Sequence, residues 1–314
     1  MDIKNKNKCY VFSYNRGIFL KNCVDSLEKY ASKYFDLTII DDFSDDEETK
    51  KLLKQYSKKY RIIYPPVKYK NRHTGNFYAN MNYAFKDASK ANAELILFIE
   101  DDMQIVREVH QEDISRINNF FEKNPKSVQL YINFFKKCNI SYKKNIIFDE
   151  DSKVAYFRDD QHPLNSHYCS NGIFNSKRVS DFIGNLEDKL AVNEKKLKEK
   201  GCKMGFYMYP FMMWLPMPVS YRDKKTNRFH KIKEFFANAG YYPYDEMSQE
   251  TQSKLLKHKA ENIPYAEDYL KPEKVHKFKR WSFTGVDYAF RELGGWRIRV
   301  GRLLSFLEKK FFTK

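Results

Sequence analysis

Leu95-Ile96-Leu97-Phe98-Ile99-Glu100-Asp101-Asp102-Met103-Gln104 is the stretch on which the reading of this chain turns. Five apolar residues, two of them β-branched, end abruptly in three carboxylates. A short run that is apolar on both faces suits a buried strand of a parallel sheet. Ligands of open α/β sheets bind at the carboxyl ends of the strands, so Glu100, Asp101 and Asp102 are expected at the mouth of a crevice. Adjacent carboxylates raise one another's pKa unless a cation or hydrogen bonds compensate. A hard divalent cation with oxygen ligands is one compensation. An acidic cap on a following helix is the other explanation, and the stretch alone does not choose between them.

Upstream, strand-type and helix-type patterns alternate. Residues 9–14 form a strand candidate ending in Asn15-Arg16-Gly17, and residues 18–30 carry Leu20, Cys23, Val24 and Leu27 at helical spacing. Leu37-Thr38-Ile39-Ile40 is a second strand, ending in Asp41-Asp42-Phe43-Ser44-Asp45-Asp46, and its acidic end starts a helix over 47–60. Residues 61–64 are a third strand stopped by Pro65-Pro66. A loop over 71–76 leads to a helix over 77–90 with Met81, Ala84, Phe85 and Ala88 on one side. Such alternation with short connections predicts a parallel, wound α/β sheet. Its strand ends share one edge, so Asp41-Asp42 and Glu100-Asp101-Asp102 are expected to face the same crevice.

A chain of 314 residues is one large domain or two, and 42% hydrophobic residues suffice for a sizeable core. A net charge of +16 favours anionic partners: nucleotide phosphates, acidic glycans, lipid headgroups or nucleic acid. Lysines are dispersed, so part of this charge is a solvated surface. Cys9, Cys23, Cys138, Cys169 and Cys202 form no CxxC pair and are odd in number, which fits free thiols in a reducing compartment. No signal-type apolar region follows the charged N-terminus. Residues 204–221 lack charge, yet Pro210, Pro216 and Pro218 would break a spanning helix, so a buried strand and an apolar loop are expected there. The expected location is cytoplasmic, with peripheral contact on the inner face of the cytoplasmic membrane.

Val11-Phe12-Ser13-Tyr14-Asn15-Arg16, Ile39-Ile40-Asp41-Asp42-Phe43-Ser44-Asp45, residues 75–82 and Phe98-Ile99-Glu100-Asp101-Asp102 occur in a telling order and spacing. In these four segments the chain resembles family 2 glycosyltransferases with the GT-A fold, over about its first 110 residues. It departs at Ser13, where proline is usual, and at Phe43, where glycine is usual. The resemblance implies a GT-A-type wound, mostly parallel sheet flanked by helices, a nucleotide-sugar donor with UDP commonest, and Mn2+ or Mg2+. It makes Asp102 the metal ligand and sets Glu100 and Asp101 near the ribose or a metal-bound water. Asp41, or second Asp42, would accept a hydrogen bond from the base, with Tyr14 and Asn15 lining the base pocket. Arg72 would contact the diphosphate; its plain alternative is a solvated loop arginine.

Residues 170–178 resemble the family's glycine-containing segment beneath the donor sugar. Gly184-Asn185-Leu186-Glu187-Asp188, a charged helix, Gly201 and a strand over 202–210 resemble its Glu-Asp motif. An inverting enzyme needs a carboxylate to deprotonate the acceptor hydroxyl. By resemblance Asp188 is that base and Glu187 the second candidate, the alternative being first-turn acids of the helix. His230 corresponds to a late histidine that some relatives use as a further metal ligand; otherwise it is a surface histidine.

Residues 128–134 and 154–157 are further strand candidates, with a Lys-rich loop over 136–144 and a polar loop over 158–167. From about residue 231 the alternation stops. A polar helix is expected over 248–260, and another over 286–312 with Leu293, Trp296, Val300, Leu303 and Leu307 on one face. Arg297, Arg299, Arg302, Lys309 and Lys310 surround that face, and Gly294-Gly295 would weaken the helix. A basic amphipathic helix of this kind lies on an anionic membrane or packs on the catalytic domain or a second subunit.

The expected organisation is a catalytic domain over 1–230, with a nucleotide-sugar half to about 110 and an acceptor half beyond it, and a mainly helical, basic-aromatic extension over 231–314. The expected activity is metal-dependent, inverting transfer to a hydroxyl of a glycan or glycolipid, as in bacterial surface polysaccharide biosynthesis. Two readings compete. A nucleotidyltransferase would carry a Gly-rich basic loop after the first strand, and Asn15-Arg16-Gly17 is too little. A non-enzymatic nucleic-acid or anionic-polymer binder would cluster its basic residues, which here are dispersed without an RRM, KH or zinc-finger pattern.

Overall fold

The computed structural model describes residues 6–65, 75–137, 146–157, 166–215, 232, 241–259, 262–273 and 295–312. Arg72, Cys138, His230 and most of the two loops expected over 136–144 and 158–167 lie outside the described residues.

The strand–helix alternation is built as expected: β1 (Asn7–Ser13), α1 (Gly17–Tyr30), β2 (Asp36–Asp41), α2 (Glu47–Tyr56), β3 (Arg61–Ile63), α3 (Phe77–Lys90) and β4 (Leu95–Glu100). β1 pairs in parallel with β2 and β4, and β2 with β3. Alternation along each strand sends side chains to two faces. Cys9, Val11, Ile39, Leu97 and Ile99 pack with Leu20, Cys23 and Val24 of α1. Tyr10, Phe12, Ile40, Ile96 and Phe98 pack with Met81, Ala84 and Phe85 of α3 on the opposite face. Both faces are therefore buried, which is why these strands read as unbroken apolar runs.

Past Asp102 the structure departs from the helix-cap explanation. The chain enters β5 (Met103–Ile105), and the next helix, α4, begins only at Gln111 (Gln111–Lys123). Asp101 and Asp102 thus cap nothing. The chain continues through β6 (Gln129–Tyr131), β7 (Ile146–Asp149), β8 (Val154–Phe157), β9 (Gly172–Asn175), α5 (Leu190–Glu199), β10 (Gly205–Tyr207), β11 (Met212–Trp214), α6 (Gln249–Lys257) and α7 (Trp296–Phe312).

The main sheet has the order β3-β2-β1-β4-β9-β6-β10-β8-β7. Only β9 and β8 run against the other strands, so the sheet is mostly parallel and flanked by helices. β5 and β11 form a separate antiparallel pair, with Trp214 opposite Met103. Gln104 exchanges side-chain hydrogen bonds of 3.0 and 2.9 Å with the backbone of Tyr244. Tyr244, Met247, Leu255, Ala266 and Leu270 share an apolar cluster with Phe19, Val106 and Met213, so this late segment is packed on the core. No helix among the described residues is long and apolar enough to cross a membrane.

Candidate active site

Parallel register brings the acidic ends together. Phe12 stands opposite Glu100, and Ser13 opposite Asp41. Two backbone bonds fix the edge: Asp101 N–H donates to Phe12 O at 3.1 Å and Asp42 N–H to Ser13 O at 3.0 Å.

Within this edge the three acids have different partners. Glu100 Oε1 accepts from Ser170 Oγ at 2.9 Å and from Asn171 Nδ2 at 3.4 Å. Asp101 is fully buried; its Oδ2 accepts from Tyr14 N–H at 3.1 Å and its Oδ1 from Arg16 Nη2. Asp102 Oδ2 accepts from Arg16 Nη1 at 2.8 Å. Asp102 Oδ1 is buried and has no partner among the described residues. Burial pushes the Glu100 carboxyl up to about 7, and the charge of Asp102 adds to the effect. Asp101 is likewise pushed up to about 7 by burial, with Asp102 opposing and Arg16 favouring its ionisation. The site thus carries more negative charge than one guanidinium balances.

The wall beside β2 is braced by its own loop. Asp41 takes Ser44 N–H on Oδ1 at 2.8 Å and Ser44 Oγ on Oδ2 at 2.6 Å, and burial raises its pKa. Asp42 Oδ2 accepts from Asn76 N–H at 3.1 Å. Asn15 turns its amide to the neighbouring loop, accepting from Asp45 N–H at 2.8 Å and donating to Asp45 Oδ1 at 2.6 Å. Phe43, at the position where the family favours glycine, has φ 60. A left-handed conformation costs a non-glycine residue roughly 1–2 kcal/mol, and here the surrounding bonds of Asn15, Asp41 and Ser44 hold it.

The opposite wall comes from β9 and the segment before α5. Antiparallel pairing sets Gly172 opposite Phe98, which carries Ser170 and Asn171 to Glu100. Gly172 has φ +114, and a Cβ there would lie 2.7 Å from Leu130 O, so the backbone passes where only glycine fits. Asn171 Oδ1 accepts from buried Asn133 at 2.8 Å. The Tyr78 phenol is pushed up to about 12 by burial and by the charges of Glu100, Cys169 and Asp188. Asp188 lies in the bend just before α5. Glu187 pairs with Lys196 at 2.6 Å on an exposed surface. Neither acid lies in the first turn of α5, which starts at Leu190 behind Lys189 as N-cap; the first-turn explanation is corrected on this point.

Among the described residues no group of three or more His, Cys, Asp or Glu side chains forms a metal cage. A cation bound with a nucleotide needs less, commonly one or two carboxylates completed by phosphate oxygens and water. The orphaned, buried Oδ1 of Asp102 fits that requirement as a single protein ligand. Arg16 was not expected in the site, and residues 170–178, expected beneath the donor sugar, were not expected to bond Glu100 through Ser170 and Asn171. For Arg16 a signal existed, since a cation follows the end of the first strand where the neighbouring strands are followed by acids.

The profile of glycosyl transferase family 2 matches residues 9–180, more than half of the 314-residue chain. No curated protein matches in sequence. Among solved structures, S. aureus TarS 1–349 in complex with UDP-GlcNAc is 14% identical, with a TM-score of 0.49 over 80% of this chain and 70% of that one. A longer TarS structure is 15% identical, with a TM-score of 0.47 over 80% of this chain but only 42% of that one. The mannosyltransferase PcManGT from Pyrobaculum calidifontis, in complex with GDP-Man and Mn2+, is 9% identical, with a TM-score of 0.44 over 98% and 76% of the two chains. With its mostly parallel GT-A-type sheet and the match over 9–180, this chain belongs to glycosyl transferase family 2 and is a glycosyltransferase.

Proposed function

We propose that the protein is a metal-dependent inverting glycosyltransferase that moves a sugar from a UDP-sugar to a hydroxyl of a cell-surface glycan or glycolipid. The observation that carries the metal and donor assignment is the buried Oδ1 of Asp102, without a partner among the described residues, at the shared end of β1, β2 and β4. Asp102 would hold Mn2+ or Mg2+, whose chemistry is to neutralise charge on the diphosphate leaving group. Asp41 or Asp42, with Tyr14 and Asn15, would receive the base, and Glu100 and Asp101 the ribose or metal-bound water. Asp188, with Glu187 second, takes the acceptor proton; the new bond forms at the anomeric carbon as its bond to the diphosphate breaks, with inversion. Arg72 as a diphosphate contact and His230 as a further metal ligand complete the proposal from outside the described residues.

The family assignment decides against the nucleotidyltransferase and polynucleotide-binding readings. The domain division at about residue 230 remains part of this proposal. So does peripheral contact with an anionic inner membrane face through α7, where Trp296, Leu303 and Phe306 are exposed beside exposed Arg299, Arg302 and Lys310. Removal of 286–314 is expected to abolish sedimentation with anionic liposomes; unchanged sedimentation contradicts that role. The donor is tested by thermal stabilisation with a panel of nucleotide sugars, with and without Mn2+. Stabilisation by a UDP-sugar that requires Mn2+ is expected; binding of polynucleotide and of no nucleotide sugar would overturn the reading.

A further inference from the structure

Arg16 has a part in this site that goes beyond steadying the two aspartates. Its guanidinium is a fork: Nη2 bonds Asp101 Oδ1, and Nη1 lies 2.8 Å from Asp102 Oδ2. Its side chain is 16% exposed and that of Asp102 6% exposed. A cation taking Asp102 Oδ1 would bring a second positive group onto the carboxylate that Nη1 already holds. Like charges at that separation, with little water between them, repel strongly.

The backbone of Arg16 is held by α1, while its side chain is held by the two aspartates and lies 6.0 Å from the centre of the Phe19 ring. Its carbonyl accepts from Leu20 N–H at 2.9 Å as the first bond of α1, and its side chain makes no capping bond. Release of one arm therefore needs loss of the Asp102 ion pair and side-chain rotation but no backbone change, with the guanidinium still at the N-terminal end of α1, where anions are favoured.

We infer that Arg16 is the resident counter-ion of Asp102, and that a divalent cation takes this carboxylate only as the Arg16 Nη1 arm leaves it and turns to the donor diphosphate, with Nη2 kept on Asp101. The inference rests on the donor-site reading proposed above. Its consequence is a coupling: metal and nucleotide assist each other because the nucleotide accepts the arm that the metal displaces, and such coupling is reciprocal.

The test is Mn2+ titration, followed by the paramagnetic resonance signal of free Mn2+, on the full chain and on Arg16→Gln and Arg16→Lys, each with and without UDP. Without nucleotide, Arg16→Gln is expected to bind Mn2+ about tenfold tighter than the wild type, and Arg16→Lys to lie between them. UDP is expected to tighten Mn2+ binding in the wild type, with this enhancement reduced about tenfold in Arg16→Gln. A side chain that merely steadied the fold would not alter that enhancement. Equal or weaker Mn2+ binding by Arg16→Gln, or an undiminished UDP enhancement, overturns the inference. If Arg16→Gln does not melt cooperatively, Arg16→Lys decides: tighter metal binding than wild type supports the inference, and equal or weaker binding overturns it. UDP binding by none of the three proteins would count against the donor reading, while the metal-only comparison still decides the role of Arg16.

Discussion

Arg107 and Arg16 each meet aspartate carboxylates inside the protein, but one cluster is closed and the other is left open. Arg107 Nη1 and Nη2 donate to the two oxygens of Asp113 at 2.9 and 2.8 Å. Its remaining donors go to the carbonyls of Glu108, Pro210 and Tyr209. Asp113 also accepts from His110 N–H at 2.9 Å and from Tyr207 Oη at 2.8 Å. One charge meets one charge, and both carboxylate oxygens are filled. Arg16 instead faces two carboxylates with a third nearby, and Asp102 Oδ1 has no partner among the described residues. Filled buried polar clusters rigidify a fold, and unfilled ones are costly unless a ligand completes them. The difference separates the cluster that ties α4 to β10 from the one proposed above to receive a cation.

Substitution should pull stability and activity apart along this line. The largest effect is expected for Asp102→Ala, which should lower transfer roughly 10⁴-fold, corresponding to loss of several kcal/mol of transition-state stabilisation. Its melting temperature should stay near that of the wild type, read by calorimetry. Asp188→Asn should retain donor binding and lower transfer roughly 10³-fold, within the span of general-base catalysis; near-normal transfer removes Asp188 as the base.

Asp113→Asn should behave in the opposite sense, costing about 3–5 kcal/mol in urea unfolding because Arg107 is left buried without its counter-charge. Burial alone would raise the Asp113 carboxyl, and the Arg107 charge and the hydrogen bonds more than reverse that, leaving it below its ordinary value of 3.8. A depressed carboxylate contributes stability above its unfolded pKa and loses it as pH falls through the folded one. The gap between wild type and Asp113→Asn should therefore narrow below about pH 4. The smallest effect is expected for Gly205→Ala. A Cβ there would lie 2.6 Å from Val154 Cγ1 and 2.7 Å from the Phe120 ring. Overpacking should cost about 1–3 kcal/mol and loosen β10, and with it Tyr207, while metal binding at Asp102 stays unchanged.

The first hundred residues were legible because physics leaves a plain mark there. Strands buried on both faces must be apolar throughout, and Asp41-Asp42 and Glu100-Asp101-Asp102 interrupt those runs at their ends. β5 left no such mark: it is three residues long, and its partner β11 lies more than a hundred residues away. The cap explanation for Asp101 and Asp102 failed for that reason. The pairing of Arg16 with both aspartates depends on the register of β1 against β4, which no local pattern records. Ser170 and Asn171 reach Glu100 only because β9 runs antiparallel between β4 and β6. Phe43 shows the limit of motif spacing, since a backbone with φ 60 persists there without the glycine that the family favours.

On the proposed function, Asp102 Oδ1 completes a metal–diphosphate site. Calorimetric titration of UDP into the wild type and Asp102→Ala, with and without Mn2+, tests it most directly. UDP binding that requires Mn2+ in the wild type and is lost in Asp102→Ala is the expected result. UDP binding of equal strength with and without the metal, or unaltered by Asp102→Ala, would contradict it.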